Sequence, residues 1–130
     1  MKLQDFVLLT VMERFVYFNS RDDFLRIGVS QIVYFMADKN YTILQMANGK
    51  KMIFAFSLSQ MQKHLSTSLD EDAKIFARIG KSYIVNLNYI FQIEITKQRL
   101  VLCVQGNDDY RLSVSKEALK KLRSLYLNSK

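Results

Sequence analysis

The sequence predicts a mainly β fold of antiparallel strands, with two helices, in a single domain. Three observations carry this expectation. Short runs rich in Val, Ile, Phe and Tyr alternate with polar clusters at close intervals. The dipeptide Asn48-Gly49, a strong hairpin signal, separates two of those runs. Only two stretches place apolar residues at helical spacing. With no Pro and only 4 Gly in 130 residues, the chain has no linker composition, no low-complexity tract and no solenoid repeat. A chain of this length buries roughly two thirds of the surface its unfolded form exposes, so it needs no disulfide or metal staple.

Taken in order, residues 1–14 form an N-terminal extension. Its Phe6, Leu9, Val11 and Met12 suit a short amphipathic helix or an added strand that contacts a partner or a second copy. The apolar stretch 6–12 falls far short of the ~20 residues a spanning helix requires. Lys2 followed by that stretch has the outline of a secretory signal, but Asp5 interrupts it and no small-residue cleavage site follows. The domain proper is expected over residues 15–130. Strands are expected at 15–18, 24–27, 32–37, 41–47 and 51–56, with Asn48-Gly49 accepting positive φ at both turn positions. Later strands are expected at 83–85, 90–96, 99–105 and 110–114, with turns at 97–98 and 106–109; the stretch 89–95 sets Ile93 and Ile95 against Gln92 and Glu94.

The first helix starts at Ser57, with Gln60 three residues on as its reciprocal cap and Leu58, Met61 and Leu65 on one face. It ends in the polar run 66–72. The second starts at Ser115, and Ala118, Leu119, Leu122, Leu125 and Tyr126 make its apolar stripe, leaving Lys120, Lys121 and Arg123 to water.

Charge is distributed unevenly. Residues 1–73 hold 8 Lys and Arg against 8 Asp and Glu, whereas residues 74–130 hold 11 against 4, so the whole net charge of +7 lies in the second half. Such one-sided charge attracts a polyanion, nucleic acid first and anionic membrane second. The stretch FARIGKSYIVN at 76–86 concentrates the effect: Arg78 and Lys81 flank the turn-prone Gly80 in a braced loop that leads into an apolar strand.

Catalytic and metal chemistry find no support. Gly80-Lys81-Ser82 matches the end of a phosphate-binding P-loop, but that motif needs another Gly five positions earlier, where the chain has Ile75. One His and one Cys cannot make a structural zinc site; His64 is expected at the rim of its helix and Cys103, in the run LVLCV, as a small hydrophobe in a reducing, cytoplasmic protein. Asp70, Glu71 and Asp72 read as a solvated connection. No cofactor, no metal, no small-molecule substrate and no enzymatic activity are expected.

The order of four segments, SQIVYFMADKNYTIL at 30–44, SLSQMQKHL at 57–65, FARIGKSYIVNLNYI at 76–90 and LSVSKEALKKL at 112–122, resembles a LytTR-type (AgrA-like) DNA-binding domain, the output module of many bacterial response regulators. The resemblance implies an elongated stack of small antiparallel sheets, a β-β-β sandwich with two short helices, that enters successive major grooves through loops. It implies a transcription regulator of double-stranded DNA, filling direct repeats as two copies. Carried over by motif, the DNA-binding residues are Lys39 and Asn40 in a first loop, Arg78, Lys81 and Ser82 in a second, and Ser115 and Lys116 before the last helix. For Asn40 a turn role and adenine recognition weigh equally, and capping alone would explain Ser115. For Arg78 and Lys81 base or phosphate contact is the stronger expectation, because cations flanking a glycine add little stability. Tyr83, Val85, Ile90 and Phe76 are expected as anchors in the core, and Asn86 as a partner of backbone groups in the next turn.

Two positions depart from the family pattern: Gly80 stands where His is usual, and Glu117 where a second basic residue is frequent. A stand-alone domain without a receiver domain is expected, and with it control through abundance, a binding partner or an inhibitory membrane protein, with residues 1–14 as the contact. Two other functions remain open at this stage. One is a basic all-β RNA or single-strand binder stacking bases on Tyr34, Tyr41 and Tyr83. The other is an interaction module that titrates another regulator without binding DNA itself.

Overall fold

A computed structural model describes residues 13–128; the expectations for residues 1–12 fall outside them. Among the described residues, ten strands form three antiparallel sheets, with two α-helices. Strands β1 (Phe15–Asn19) and β2 (Phe24–Gly28) make a hairpin. Strands β3 (Ile32–Asp38), β4 (Tyr41–Met46), β5 (Lys51–Phe54), β6 (Phe76–Ile79) and β7 (Tyr83–Asn86) make a central sheet in the order β5-β4-β3-β7-β6. Strands β8 (Ile90–Glu94), β9 (Arg99–Leu102) and β10 (Tyr110–Ser113) make a third sheet with β9 in the middle. Helix α1 (Leu58–Leu69) follows β5, and helix α2 (Lys116–Leu127) follows β10.

The layering follows from where the apolar residues point. Val16 and Ile27 of the hairpin and Leu58, Met61, Leu65 and Leu69 of α1 meet Phe35, Leu44 and Ile84 on one face of the central sheet. Val33, Tyr34, Ile79 and Val85 face the other way and pack on Leu100, Leu102, Leu112, Leu119 and Leu122 of the third sheet and α2. The central sheet is therefore covered on both faces. This explains why β3 reads IVYF without alternation: all four residues are buried, and a bulge between Ile32 and Tyr34 re-aims them.

Both helix starts form as the sequence leads one to expect. Ser57 accepts from Gln60 N–H at 3.2 Å while the Gln60 side chain accepts from Ser57 N–H at 2.8 Å, a complete capping box. Ser115 accepts from Ala118 N–H at 3.2 Å. Elsewhere the structure corrects the expectation. Residues 76–79 are a strand, β6, registered on β7 with Ile79 opposite Tyr83, so the braced loop is only residues 80–82. At the β4–β5 turn Gly49 alone takes positive φ, at 90°; Gly49 N–H bonds Met46 O at 3.0 Å and Asn48 Oδ1 accepts from Lys50 N–H at 3.0 Å. That is a three-residue loop with its glycine last, a different solution from the two-residue turn expected. Helix α1 ends at Leu69, inside the polar run as expected, and residues 70–75, read as a solvated connection, form a 3₁₀ segment.

Two apolar expectations also change. Cys103 is exposed just past β9, and a hydrogen bond to the Asp109 carboxylate raises its thiol pKa above the usual range. On α2 only Leu119 and Leu122 are fully buried, while Leu125 and Tyr126 remain exposed; the Tyr126 hydroxyl donates to Leu87 O at 2.7 Å. The last two described residues of the extension are tied to the domain, Glu13 accepting from Ser30 and Arg14 pairing with Asp72.

Candidate nucleic-acid interface

Strand register brings the three expected loops to one end of the molecule. The β3–β4 hairpin closes with Asp38 opposite Tyr41, leaving Lys39 and Asn40 as a two-residue tip. Strand β7 lies beside β3, and Ala37 N–H donates to Ser82 O at 2.9 Å, so the 80–82 loop sits against the same end of β3. A cavity of about 220 Å³ is lined by both Gly80-Lys81-Ser82 and Ser113-Val114-Ser115, which places the start of α2 next to that loop. Lys39, Asn40, Lys81, Ser82, Ser115 and Lys116 are all exposed. Among the described residues the ammonium groups of Lys39, Lys81 and Lys116 make no ion pair.

The tips are stiff for local reasons. Lys39 holds φ at 56°, a left-handed backbone that costs a non-glycine residue on the order of 1 kcal/mol. The left-handed residue of this hairpin is thus Lys39, and Asn40, which was weighed for that backbone role, does not take it. Gly80 holds φ at 57° with nothing within 4 Å of where a Cβ would lie, so its backbone angle and not crowding favours glycine. That backbone is also one that His adopts more readily than most side chains do.

Arg78 differs from the other cations. It is half-buried, its Nε donates to Gly80 O at 2.8 Å, and its guanidinium reaches Gln62 Oε1 at 2.9 Å and Ser59 Oγ at 3.4 Å on α1. The premise that two cations beside a glycine do little for the fold fails for Arg78, which ties the loop to a helix. Ser115 has a double capacity: its oxygen caps α2, and its hydroxyl proton is left to donate.

A second cavity, of about 350 Å³, runs between β6 and α2, lined by Arg78, Gly80, Glu117, Lys121 and Leu125 among others. Lys121, which the helical pattern assigned to bulk water, therefore borders the site, as does the carboxylate of Glu117. A larger cavity, of about 640 Å³, lies elsewhere, between the β1–β2 hairpin, β5 and α1, where Phe18, Phe54, Phe56 and His64 line it. Its lining is largely apolar, includes the carboxylate of Asp23 and has no Lys or Arg, so it is unsuited to a polyanion. His64 is fixed there by a 2.8 Å hydrogen bond to Tyr17 O.

The expected anchors hold the loops from below. Tyr83 and Val85 belong to the core beside the third sheet, with Ile90 packed against it, while Phe76 packs on the opposite core. Asn86 is 1% exposed; its amide donates to Ile32 O at 2.9 Å and Val29 O at 3.4 Å and accepts from Asn88 N–H at 3.0 Å. The aromatic residues do not make a stacking platform. Tyr34 is 9% exposed and meets Tyr83 and Tyr110 edge-on, at ring separations of 6.2 and 5.8 Å, so of the three tyrosines in question only Tyr41 is exposed. Among the described residues no group of three His, Cys, Asp or Glu is placed to hold a metal, and no helix is long and apolar enough to cross a membrane.

The chain belongs to the LytTr DNA-binding domain family, whose model matches residues 22–126. The match begins beyond β1, which nevertheless pairs with β2 along its full length. Among solved structures the chain resembles the LytTr DNA-binding domain of a Bacillus cereus protein assigned as a methyl-accepting/DNA response regulator, at 22% identity and a TM-score of 0.59, over 87% of this chain and 96% of that one. That likeness establishes the fold, three small antiparallel sheets with two helices. Among curated proteins none matches.

Proposed function

We propose that this chain is a cytoplasmic bacterial transcription regulator that binds duplex DNA sequence-specifically, setting its loops into successive major grooves, with two copies on direct repeats. The observation that carries the reading is the convergence, at one end of the fold, of three loops presenting Lys39, Lys81 and Lys116, which make no ion pair among the described residues. In this reading Lys39 and Lys81 reach phosphate or guanine, whose major-groove edge offers two acceptors, and Asn40 pairs with adenine. Ser82, Ser115 and Lys116 hold phosphates, helped at Lys116 by the unsatisfied backbone N–H groups that open α2. Arg78 contacts the backbone from its place beside Gly80 and keeps the loop in shape. The absence of a free face on Tyr34 disfavours single-strand stacking.

Selection from randomised duplexes at one fixed, near-physiological salt concentration tests the reading. A repeated motif bound at least about a thousandfold more tightly than scrambled duplex is expected, near the lower edge of specificity ratios for such proteins. With Lys39, Lys81, Lys116 and Arg78 all on phosphates, log K for one copy should fall with log salt at a slope of about −3.6. Equal affinity for scrambled duplex, or none for DNA, would leave an interaction module in its place.

A further inference from the structure

We propose that the turn between β8 and β9, with Lys97 and Gln98 at its tip, is a fourth duplex-contacting loop that lengthens the contacted stretch of DNA backbone; the proposal rests on the reading of the other three. Its placement follows from the sheet. Val114 N–H donates to Gln98 O at 3.0 Å and Ser113 stands opposite Arg99, so the turn lies beside the start of α2. The start of α2, which also borders residues 80–82, thus links this turn to the end of the fold that carries the other three loops.

The chemistry of this turn repeats that of the first. Lys97-Gln98, like Lys39-Asn40, sets a cation beside an amide, and in each pair a non-glycine residue takes the left-handed backbone, Gln98 with φ 52°. The turn is rigid: Gln98 N–H bonds Ile95 O at 3.0 Å, and Glu94 accepts from Arg99 at 2.8 and 3.3 Å. With both Glu94 oxygens engaged by Arg99, Lys97 is held only at 3.4 Å and its side chain is 67% exposed. A phosphate can therefore recruit Lys97 without unlocking the turn. Gln98 carries an amide able to reach a base edge or a phosphate beside it.

The test uses the full chain and a labelled duplex carrying the selected motif, with salt titration and hydroxyl-radical footprinting of Lys97→Ala, Lys97→Arg and Lys81→Ala. Lys97→Ala is expected to make the salt slope shallower by about one and to lose protection only at one edge of the footprint, and Lys97→Arg to restore both. An unchanged slope and footprint in Lys97→Ala, where Lys81→Ala alters them, would overturn the fourth loop and leave the other three standing. If neither variant changes either quantity, the reading of all four loops fails.

Discussion

Replacing Asn86 by Ala is expected to lower stability by about 3 kcal/mol while leaving the duplex affinity of the folded protein within about twofold of the original. The size follows from what the side chain does. It is buried, it donates to two backbone carbonyls at the start of β3, and it orders the 3₁₀ turn after β7 through Asn88 N–H. Truncation strands polar groups away from water, at ~1–3 kcal/mol for each group left unpaired, and opens a small cavity. For a domain of this size the melting temperature should drop by roughly 10 °C. Asn86→Asp should be worse, because a buried carboxylate would face the carbonyls of Ile32 and Val29 in place of a donor. Binding should survive because Asn86 ends β7 at the edge away from residues 80–82. A melting temperature within a few degrees of the original would refute the structural role, and lost binding with an intact fold would make Asn86 part of the interface.

Lys81→Ala should show the opposite pattern. Lys81 is exposed at the tip of a loop whose conformation is set by Gly80, by the Arg78 guanidinium and by the Ser82 carbonyl. Truncation should therefore change stability by less than about 0.5 kcal/mol. Duplex affinity should fall by roughly 1–3 kcal/mol if the ammonium reads a base, and the salt slope should lose about one if it neutralises a phosphate. Thermal melting alongside titration at several salt concentrations separates the cases. Unchanged affinity together with unchanged salt dependence would remove Lys81 from the interface.

The contrast between these two residues, 5 positions apart on one hairpin, shows what was readable in the sequence. Local chemistry was readable: Ser57 with Gln60 and Ser115 with Ala118 are self-contained caps, and their hydrogen bonds span three residues. The asymmetry of charge and the motif order were readable for the same reason. What escaped depends on partners distant along the chain. Strand β6 is only FARI, too short and too mixed to announce itself, and it exists because β7 offers it a registered edge. Arg78 gained a structural role from Ser59 and Gln62, 19 and 16 residues away. The proposed fourth loop has one legible clue, the recurrence of a Lys beside an amide side chain at two hairpin tips, 39–40 and 97–98. Burial of Tyr34 on both sides was hidden because a covered central strand and a half-exposed one carry the same residue types until the layers on each face are known.

The central claim is that duplex DNA meets one end of this fold through its loops. Amide chemical-shift mapping of the labelled protein, titrated with the selected duplex, tests it most directly. The account predicts the largest changes at Lys39, Asn40, Lys81, Ser82, Ser115 and Lys116, with β1, β2, β5 and the cavity beside Phe54 nearly silent. Changes concentrated on that cavity, on the β1–β2 hairpin or on the exposed outer face of α2, with the three loops unmoved, would contradict it.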